Sequence, residues 1–240
     1  VLDVGEGQSV LLHKNQRAIL IDTGHAGMAQ TVLQRMKQLD IKRLDYLILT
    51  HLHPDHASGY FRIQEAYPQA NMIDNCHPVK ANTTPDMVRW VDQALQQNPR
   101  RQCLYSGDQI DWSGTRLSVL SPTRTTLATG NLNHNSLVLL ITHKQRQLLV
   151  MGDADKRAES RILKQHKLKP VEITVVGHHG YTHDSSEALL AILRPRHAVI
   201  STNRDNFRGY PAPETLLRLE QYSDNIYKTY ERGEIQFSFD

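Results

Sequence analysis

Cysteine is nearly absent from this 240-residue chain, which carries only Cys76 and Cys103 and no Cys-x-x-Cys pair. The two are read as buried free thiols, with a disulfide left open should the domain be extracytoplasmic. Cys76-His77 has no partner at ligand spacing and is not read as a metal pair. No apolar run approaches the roughly 20 residues that span a bilayer, which excludes membrane insertion by this segment, and no signal peptide is visible. Repeats, low-complexity tracts and linkers are also missing, so residues 1–240 read as a single domain. Nor is there a glycine-rich phosphate cradle or a nucleic-acid-binding module. Apolar residues make 39% and charged residues 22%, which excludes wholesale disorder. A formal charge of +3, with 13 His counted neutral, permits an anionic substrate without demanding one. No initiator Met is present; Val1-Leu2-Asp3-Val4 reads as starting inside a strand, as in a domain excised from a longer chain with a channel or signal peptide upstream.

What the chain does have is Thr50-His51-Leu52-His53-Pro54-Asp55-His56, directly after the short apolar run Tyr46-Leu47-Ile48-Leu49. Imidazoles and a carboxylate packed into a loop leaving a buried strand suit one or two transition metals. His51 and His53 can face a first cation while Asp55 and His56 turn toward a second.

The His-x-His-x-Asp-His pattern after a strand resembles the metallo-β-lactamase superfamily. Ile19-Leu20-Ile21-Asp22-Thr23-Gly24, Leu148-Leu149-Val150-Met151-Gly152-Asp153 and Val175-Val176-Gly177-His178-His179-Gly180 match further family motifs in order. Within the superfamily, Val1-Leu2-Asp3-Val4-Gly5-Glu6-Gly7-Gln8-Ser9, Asn133-His134-Asn135-Ser136 and Asn206-Phe207-Arg208-Gly209-Tyr210-Pro211 are most similar to the hydrolase domain of ComEC-type DNA-uptake proteins and its stand-alone relatives. The resemblance implies an α/β fold, a four-layer αβ/βα sandwich with a dinuclear site at one edge. It implies metal ligation by His51, His53, Asp55, His56, His134, Asp153 and His178, with Asp153 bridging. Asp55 would also orient the nucleophile, and Asp22 would support the His-rich loop from behind. The cofactor is two divalent ions, zinc or manganese, with iron also compatible. The implied activity is a phosphodiesterase or nuclease acting on DNA through a metal-bound hydroxide. Hydrolysis of a small ester, lactone or β-lactam is the second reading, and a DNA-binding module with a degraded metal site the third. Membership of an uptake protein would place the domain outside the cytoplasm or in the periplasm, beside a membrane channel.

Two points depart from the family pattern. The segment Asn133-His134-Asn135 leaves the third-motif ligand ambiguous by one residue, with His134 able to restore it, and Tyr210 stands where many competence-type sequences carry His. Of the adjacent His178 and His179, His178 is placed inward because neighbours on an extended chain alternate. Asp155 reads as a helix N-cap before Lys156. His179, His183, Arg204, Arg208 and Tyr210 are candidate substrate contacts, and the Lys/Arg-rich helix from Lys156 reads as a solvated surface.

Patterning predicts a hairpin of 9–13 with 17–21, and helices over 28–39, 58–67, 86–97, 156–166, 185–192 and 214–221. Further strands are expected at 116–120, 137–142, 147–151, 173–176 and 198–201, with a closing β pair over 226–239.

Overall fold

A computed structural model describes residues 1–80, 84–127 and 131–239. The chain runs β1 (Val10–Lys14), β2 (Arg17–Ile21), α1 (Ala29–Gln38), β3 (Arg43–Ile48), α2 (Pro54–Ala57), α3 (Tyr60–Ala66), β4 (Asn71–Asp74), α4 (Asp86–Gln96) and β5 (Arg101–Cys103). It continues through β6 (Gln109–Trp112), β7 (Thr115–Ser121), β8 (Val138–His143), β9 (Arg146–Val150), α5 (Lys156–Gln165), β10 (Ile173–Val175), α6 (Glu187–Leu193), β11 (His197–Ile200), α7 (Pro213–Tyr222), β12 (Asn225–Lys228) and α8 (Thr229–Arg232).

These strands form a five-stranded sheet, β1-β2-β3-β4-β5, and a seven-stranded sheet, β12-β11-β10-β9-β8-β7-β6. β1 to β2 and β6 to β9 pair antiparallel; β2 to β5 and β9 to β12 pair parallel. The sheets meet face to face through Ile19, Ile21, Ile48 and Ile73 of one and Leu117, Leu139, Val150, Ile173 and Val199 of the other. On the outer side of the first sheet, Val32 and Met36 of α1, Ile63 of α3 and Val88 and Leu95 of α4 pack over Leu20, Leu47 and Met72. On the outer side of the second, Ile162 of α5 and Leu189 of α6 cover Leu149, and Leu219 of α7 covers Ala198 and Ile200. The result is the expected four-layer αβ/βα sandwich. The apolar period-3.6 pattern of α1 places Met28, Val32, Leu33, Met36 and Leu39 in one cluster, as the spacing predicts.

Several expectations need correction. The helix expected over 58–67 is α3, which starts only at Tyr60, and an unexpected single turn, α2, precedes it across Ser58-Gly59. Ser58 Oγ donates to Pro54 O at 2.5 Å and accepts from Ala26 N at 2.8 Å. A Cβ on Gly59 would meet Thr23 at 2.9 Å, so close packing, not helix propensity, sets this position. No closing β pair forms: β12 is followed by the single turn of α8, and Gly233 at φ 71° redirects the chain. Ile235 instead exchanges hydrogen bonds with Val1 at 2.9 and 2.7 Å, while Val1–Val4 lie outside any strand. The short strands β4 and β5 carry polar residues such as Asn71 and Gln102 and show too little alternation to be read from pattern, and β6 alternates over only the four residues Gln109–Trp112.

Cys76 and Cys103 are not free thiols. They form a disulfide, with Cα atoms 5.4 Å apart, joining the chain just beyond β4 to the end of β5. Cys103 is exposed on an edge strand, where burial does not shield it. The loop-entropy model assigns a cross-link over this separation of 27 residues a stabilisation of about 3–4 kcal/mol. Cys76→Ala/Cys103→Ala should therefore lower Tm by roughly 10 °C in differential scanning calorimetry.

The register of β2 against β3 shifts by one between Ala18 and Ile19, leaving Asp45 as an extra residue. The Asp45 carboxylate is buried; it accepts from Arg17 Nε and Trp112 Nε1, both at 2.8 Å, and pairs with Arg43 Nε at 2.7 Å. Burial alone would raise its pKa, but the bonds from Arg17 and Trp112 and the charges of Arg17 and Arg43 hold it below the usual carboxylate value. A depressed native pKa stabilises the fold above the unfolded value near 4, and that stabilisation fades as pH falls through the native value. Asp45→Asn should cost about 1–2 kcal/mol at neutral pH. In urea melts run across pH the deficit should shrink below about pH 4.

Candidate metal centre

The clustered side chains sit beyond the C-terminal ends of parallel strands, the usual place for a site in an open α/β sheet. Asp22 follows β2, the His-rich loop follows β3, Asp153 follows β9, and His178 and His179 follow β10. Asp22 and Gly152 both turn through positive φ, 59° and 53°. A Cβ on Gly152 would meet Thr50 at 2.9 Å, so glycine lets the Asp153 loop of one sheet reach the His-rich loop of the other.

Two donor groups result. Asp55, His56, Asp153 and His179 offer ligand atoms within 4.8 Å of one another, and His51, His53 and Asp153 form a second such set. Asp153 belongs to both. His51 and His56 are wholly buried, Asp153 and His179 nearly so, and His53 and Asp55 half-buried.

The rings are held from behind. His56 Nδ1 donates to Asp22 Oδ2 at 2.8 Å, and His179 Nδ1 donates to Ser201 O at 2.8 Å. Thr50 Oγ1 donates to Asp22 Oδ2 at 2.8 Å and lies 3.2 Å from His51 Nδ1. In each case Nε2 is left for the centre, the arrangement that orients ligating imidazoles. His56 Nε2 lies 3.3 Å from His179 Nε2 and 3.0 Å from Asp153 Oδ1. His51 Nε2 lies 3.0 Å from His53 Nδ1. His179 Nε2 approaches Asp55 Oδ2 at 3.3 Å. Ring nitrogens opposed in this way and Asp153 Oδ1, buried without a hydrogen bond, fit a cation shared among them. The His and carboxylate donors suit zinc, manganese or iron.

Charge in the cluster is strongly displaced. Burial and the neighbouring His56 drive His51 well below the ordinary histidine value, and burial lowers His53 too. Burial opposes a charge on His56, but Asp153 and Asp22 outweigh it and raise its pKa well above normal. Burial would raise Asp55 and Asp153; the hydrogen bond from His179 and the charge of His56 hold Asp55 far below the carboxylate range, and His56, His179 and His51 do the same for Asp153. At neutral pH both acids are therefore anionic.

Two expected ligands move. His179, not His178, faces the Asp55 group, because residues 177–180 form a tight 3-10-type turn with φ 52° at His178 and 54° at His179. The alternation of an extended chain does not apply there. His178 lies at the rim, half-buried: Nδ1 meets Asp184 Oδ2 at 2.8 Å, and Nε2 meets Asn133 Nδ2 at 3.2 Å and Asp153 Oδ2 at 3.7 Å. His134 is turned away from the cluster. Its Nδ1 lies 2.9 Å from Asp155 Oδ1, its Nε2 contacts Arg161 Nη1, and Arg161 Nη2 donates to its carbonyl at 3.1 Å. Asn133 is the member of that segment that reaches the rim. Asp155 caps α5, accepting from Arg157 N and Ala158 N.

Of the substrate candidates, Tyr210 packs 5.9 Å from the ring of His178 and stacks at 6.5 Å on His179. Arg208 pairs with Glu6 at 3.3 Å, Arg204 sits over Tyr230 at 5.3 Å, and His183 meets Tyr181 edge-on at 5.2 Å. Sequence reasoning missed Gln8, Thr50 and Asp184 as supports and left Asn133 open among three third-motif candidates. Gln8 Nε2 donates to Asp22 Oδ2 at 2.7 Å, across a distance in sequence that no motif spacing marks.

The family model of the metallo-beta-lactamase superfamily matches residues 2–203. The chain belongs to the metallo-beta-lactamase superfamily. Recombination protein 2 of Haemophilus influenzae is 31% identical over 99% of this chain and 28% of its own length. ComE operon protein 3 of Bacillus subtilis is 26% identical over 100% of the chain and 32% of its length, and competence protein ComA of Neisseria gonorrhoeae 26% identical over 99% and 31%. The chain thus spans less than a third of these relatives. Among solved structures, the metallo-beta-lactamase fold protein YhfI of Bacillus subtilis covers 95% of this chain, with 94% of its own chain matched, at TM-score 0.60 and 10% identity, a likeness of fold alone. Superfamily members are typically metal-dependent hydrolases, and the His/Asp cluster offers candidate ligands for a divalent metal.

Removing the Asp22 support should weaken metal affinity by about 10–100-fold. In metal titrations followed by mass spectrometry of the intact protein, Asp22→Ala and His179→Ala should retain less metal than wild type. His134→Ala should keep the wild-type content.

Proposed function

We propose that the chain is a dinuclear metal-dependent phosphodiesterase that hydrolyses DNA. The observation that carries this reading is Asp153, whose carboxylate belongs to both donor groups at once. His51, His53 and Asp153 would hold one cation, and Asp55, His56, Asp153 and His179 the other. When bound, such ions make water acidic enough to attack at neutral pH and polarise the phosphoryl oxygen.

The chain's own residues supply the rest. Asp55, anionic and half-exposed at the mouth, would accept a hydrogen bond from the attacking water and so fix its direction. Asp22 and Ser201 keep His56 and His179 in the tautomer that leaves Nε2 inward. Tyr210, beside His178 and His179, offers a hydroxyl and a ring face to the substrate at the rim.

The names of the recombination and competence relatives support DNA as the substrate. Their greater length supports further domains beside this one. A disulfide supports an oxidising, extracytoplasmic location, and no helix among the described residues is long and apolar enough to cross a membrane.

The deciding experiment is hydrolysis of single- and double-stranded DNA by metal-stripped protein refilled with Mn²⁺ or Zn²⁺. Refilled protein should cleave, and Asp55→Ala should lose at least about a hundredfold in turnover. Intact DNA alongside turnover of a lactone or small ester would replace this reading with a small-molecule hydrolase. Binding of DNA with no turnover of any substrate would leave a binding module.

A further inference from the structure

Beside the metal centre lies a cavity of about 420 Å³ lined by Lys156, Thr182, His183, Ser186, Glu187 and Arg218. Its wall is shared with the site. Asp184 reaches His178 Nδ1 with one carboxylate oxygen at 2.8 Å and accepts the backbone N–H of Lys156 with the other at 3.2 Å. The cavity therefore begins one side chain behind His178.

Its lining is built for an anion. Arg218 is fixed in place by donating to the carbonyls of Ser185 at 3.2 Å and of Thr182 and Asp184 at 2.8 Å. Those bonds use Nε and Nη2, and Nη1 has no partner among the described residues. Lys156 is exposed, and its ammonium makes no ion pair or hydrogen bond among the described residues. Ser186 adds a hydroxyl and His183 an imidazole, while the Thr182 hydroxyl is donated to Glu214. Glu187 also lines the cavity and accepts the Tyr222 hydroxyl at 3.0 Å, Glu214 accepts the Thr182 hydroxyl at 3.2 Å and Asp184 is turned to His178, so Arg218 Nη1 and the Lys156 ammonium are the groups free to meet an anion. A fixed guanidinium, an exposed ammonium and the Ser186 hydroxyl around a space of this size match a tetrahedral oxyanion.

We infer that this cavity is a phosphate subsite, which takes a backbone phosphate neighbouring the one under attack. The inference rests on the phosphodiesterase reading for its substrate, but not for its chemistry. It gives Lys156 and His183 a specificity role: they reward a polynucleotide over a small diester that has a single phosphorus.

Two arms test it on metal-loaded protein. In the first, Lys156→Ala and His183→Ala are compared with wild type on a short single-stranded oligonucleotide and on bis(p-nitrophenyl) phosphate. The ratio of the two kcat/KM values should fall about three- to tenfold at low salt, an ion-pair-sized effect. For Lys156→Ala the salt slope of oligonucleotide KM should drop by about 0.7. In the second arm, lysine acylation is read by peptide mass spectrometry, with Lys144 in the β8–β9 turn as reference. Inorganic phosphate or the oligonucleotide should each slow labelling of Lys156 and leave Lys144 alone. Protection by inorganic phosphate alone would keep the subsite but assign it to free phosphate, and protection without any DNA cleavage would sink the nuclease reading while the subsite stands. Cleavage with an unchanged ratio, an unchanged slope and no protection would overturn the subsite and spare the nuclease. Absence of protection and of turnover overturns both.

Discussion

The Asp22 carboxylate is the constraint on which the rest of the site depends. It is fully buried, and a lone buried charge is expensive unless it is paired and hydrogen-bonded. Here it receives Gln8 Nε2 at 2.7 Å, Thr50 N at 2.7 Å, Thr50 Oγ1 at 2.8 Å and His56 Nδ1 at 2.8 Å. Each partner comes from a different part of the loop system. Gln8 belongs to the irregular N-terminal segment, Thr50 to the end of β3, and His56 to α2. One carboxylate thus fixes the start of the chain, the tautomer of a candidate ligand and the entry into the His-rich loop. Its φ of 59° is the backbone cost of turning that carboxylate inward, and the hydrogen bonds more than offset it.

A second dependence runs between the sheets. His51, His53, Asp55 and His56 come from the first sheet; Asp153, His178 and His179 come from the second. Neither half contains both donor groups, so the cluster exists only when the apolar faces around Ile48, Val150 and Val175 have closed. A close approach between the halves, at Gly152 against Thr50, leaves no room for a Cβ. Packing and chemistry are therefore coupled: a side chain in that gap would separate Asp153 from His51 and His56 before it affected the core.

What was legible in the sequence divides along physical lines. The His-rich loop, Asp22 and Asp153 could be read because each follows an apolar strand, and strand ends fix where a loop begins. The layered fold was implied by the family resemblance that those motifs carry, and the spacing over α1 marked its core-facing side. His178 was placed inward over His179 by period-two reasoning, which holds only for extended chain, whereas both residues adopt positive φ. His134 misled because a histidine looks like a ligand by type, whereas Asp155 and Arg161, one turn and more away on α5, claim both its nitrogens. The cysteines misled because β5 is an edge strand too short to recognise, which hid that Cys103 is exposed and faces Cys76.

That disulfide reaches further than the sheet edge it staples. Cys76 lies between Asn75 and His77, and these clamp the loop that follows β7. Asn75 Nδ2 donates to Asn135 O at 2.5 Å, His77 N donates to Asn75 Oδ1 at 2.9 Å, and Asn135 Nδ2 lies 3.1 Å from His77 Nδ1. The clamped loop carries Asn133 to His178, and its Ser136 Oγ accepts the backbone N–H of Asp153 at 3.2 Å. Asn75 and Asn135 are wholly buried, so a loosened turn would leave polar groups without water or partner. The cross-link therefore holds the turn that positions the loop beneath Asp153, and the covalent stability of the first sheet is passed to the carboxylate that the two donor groups share.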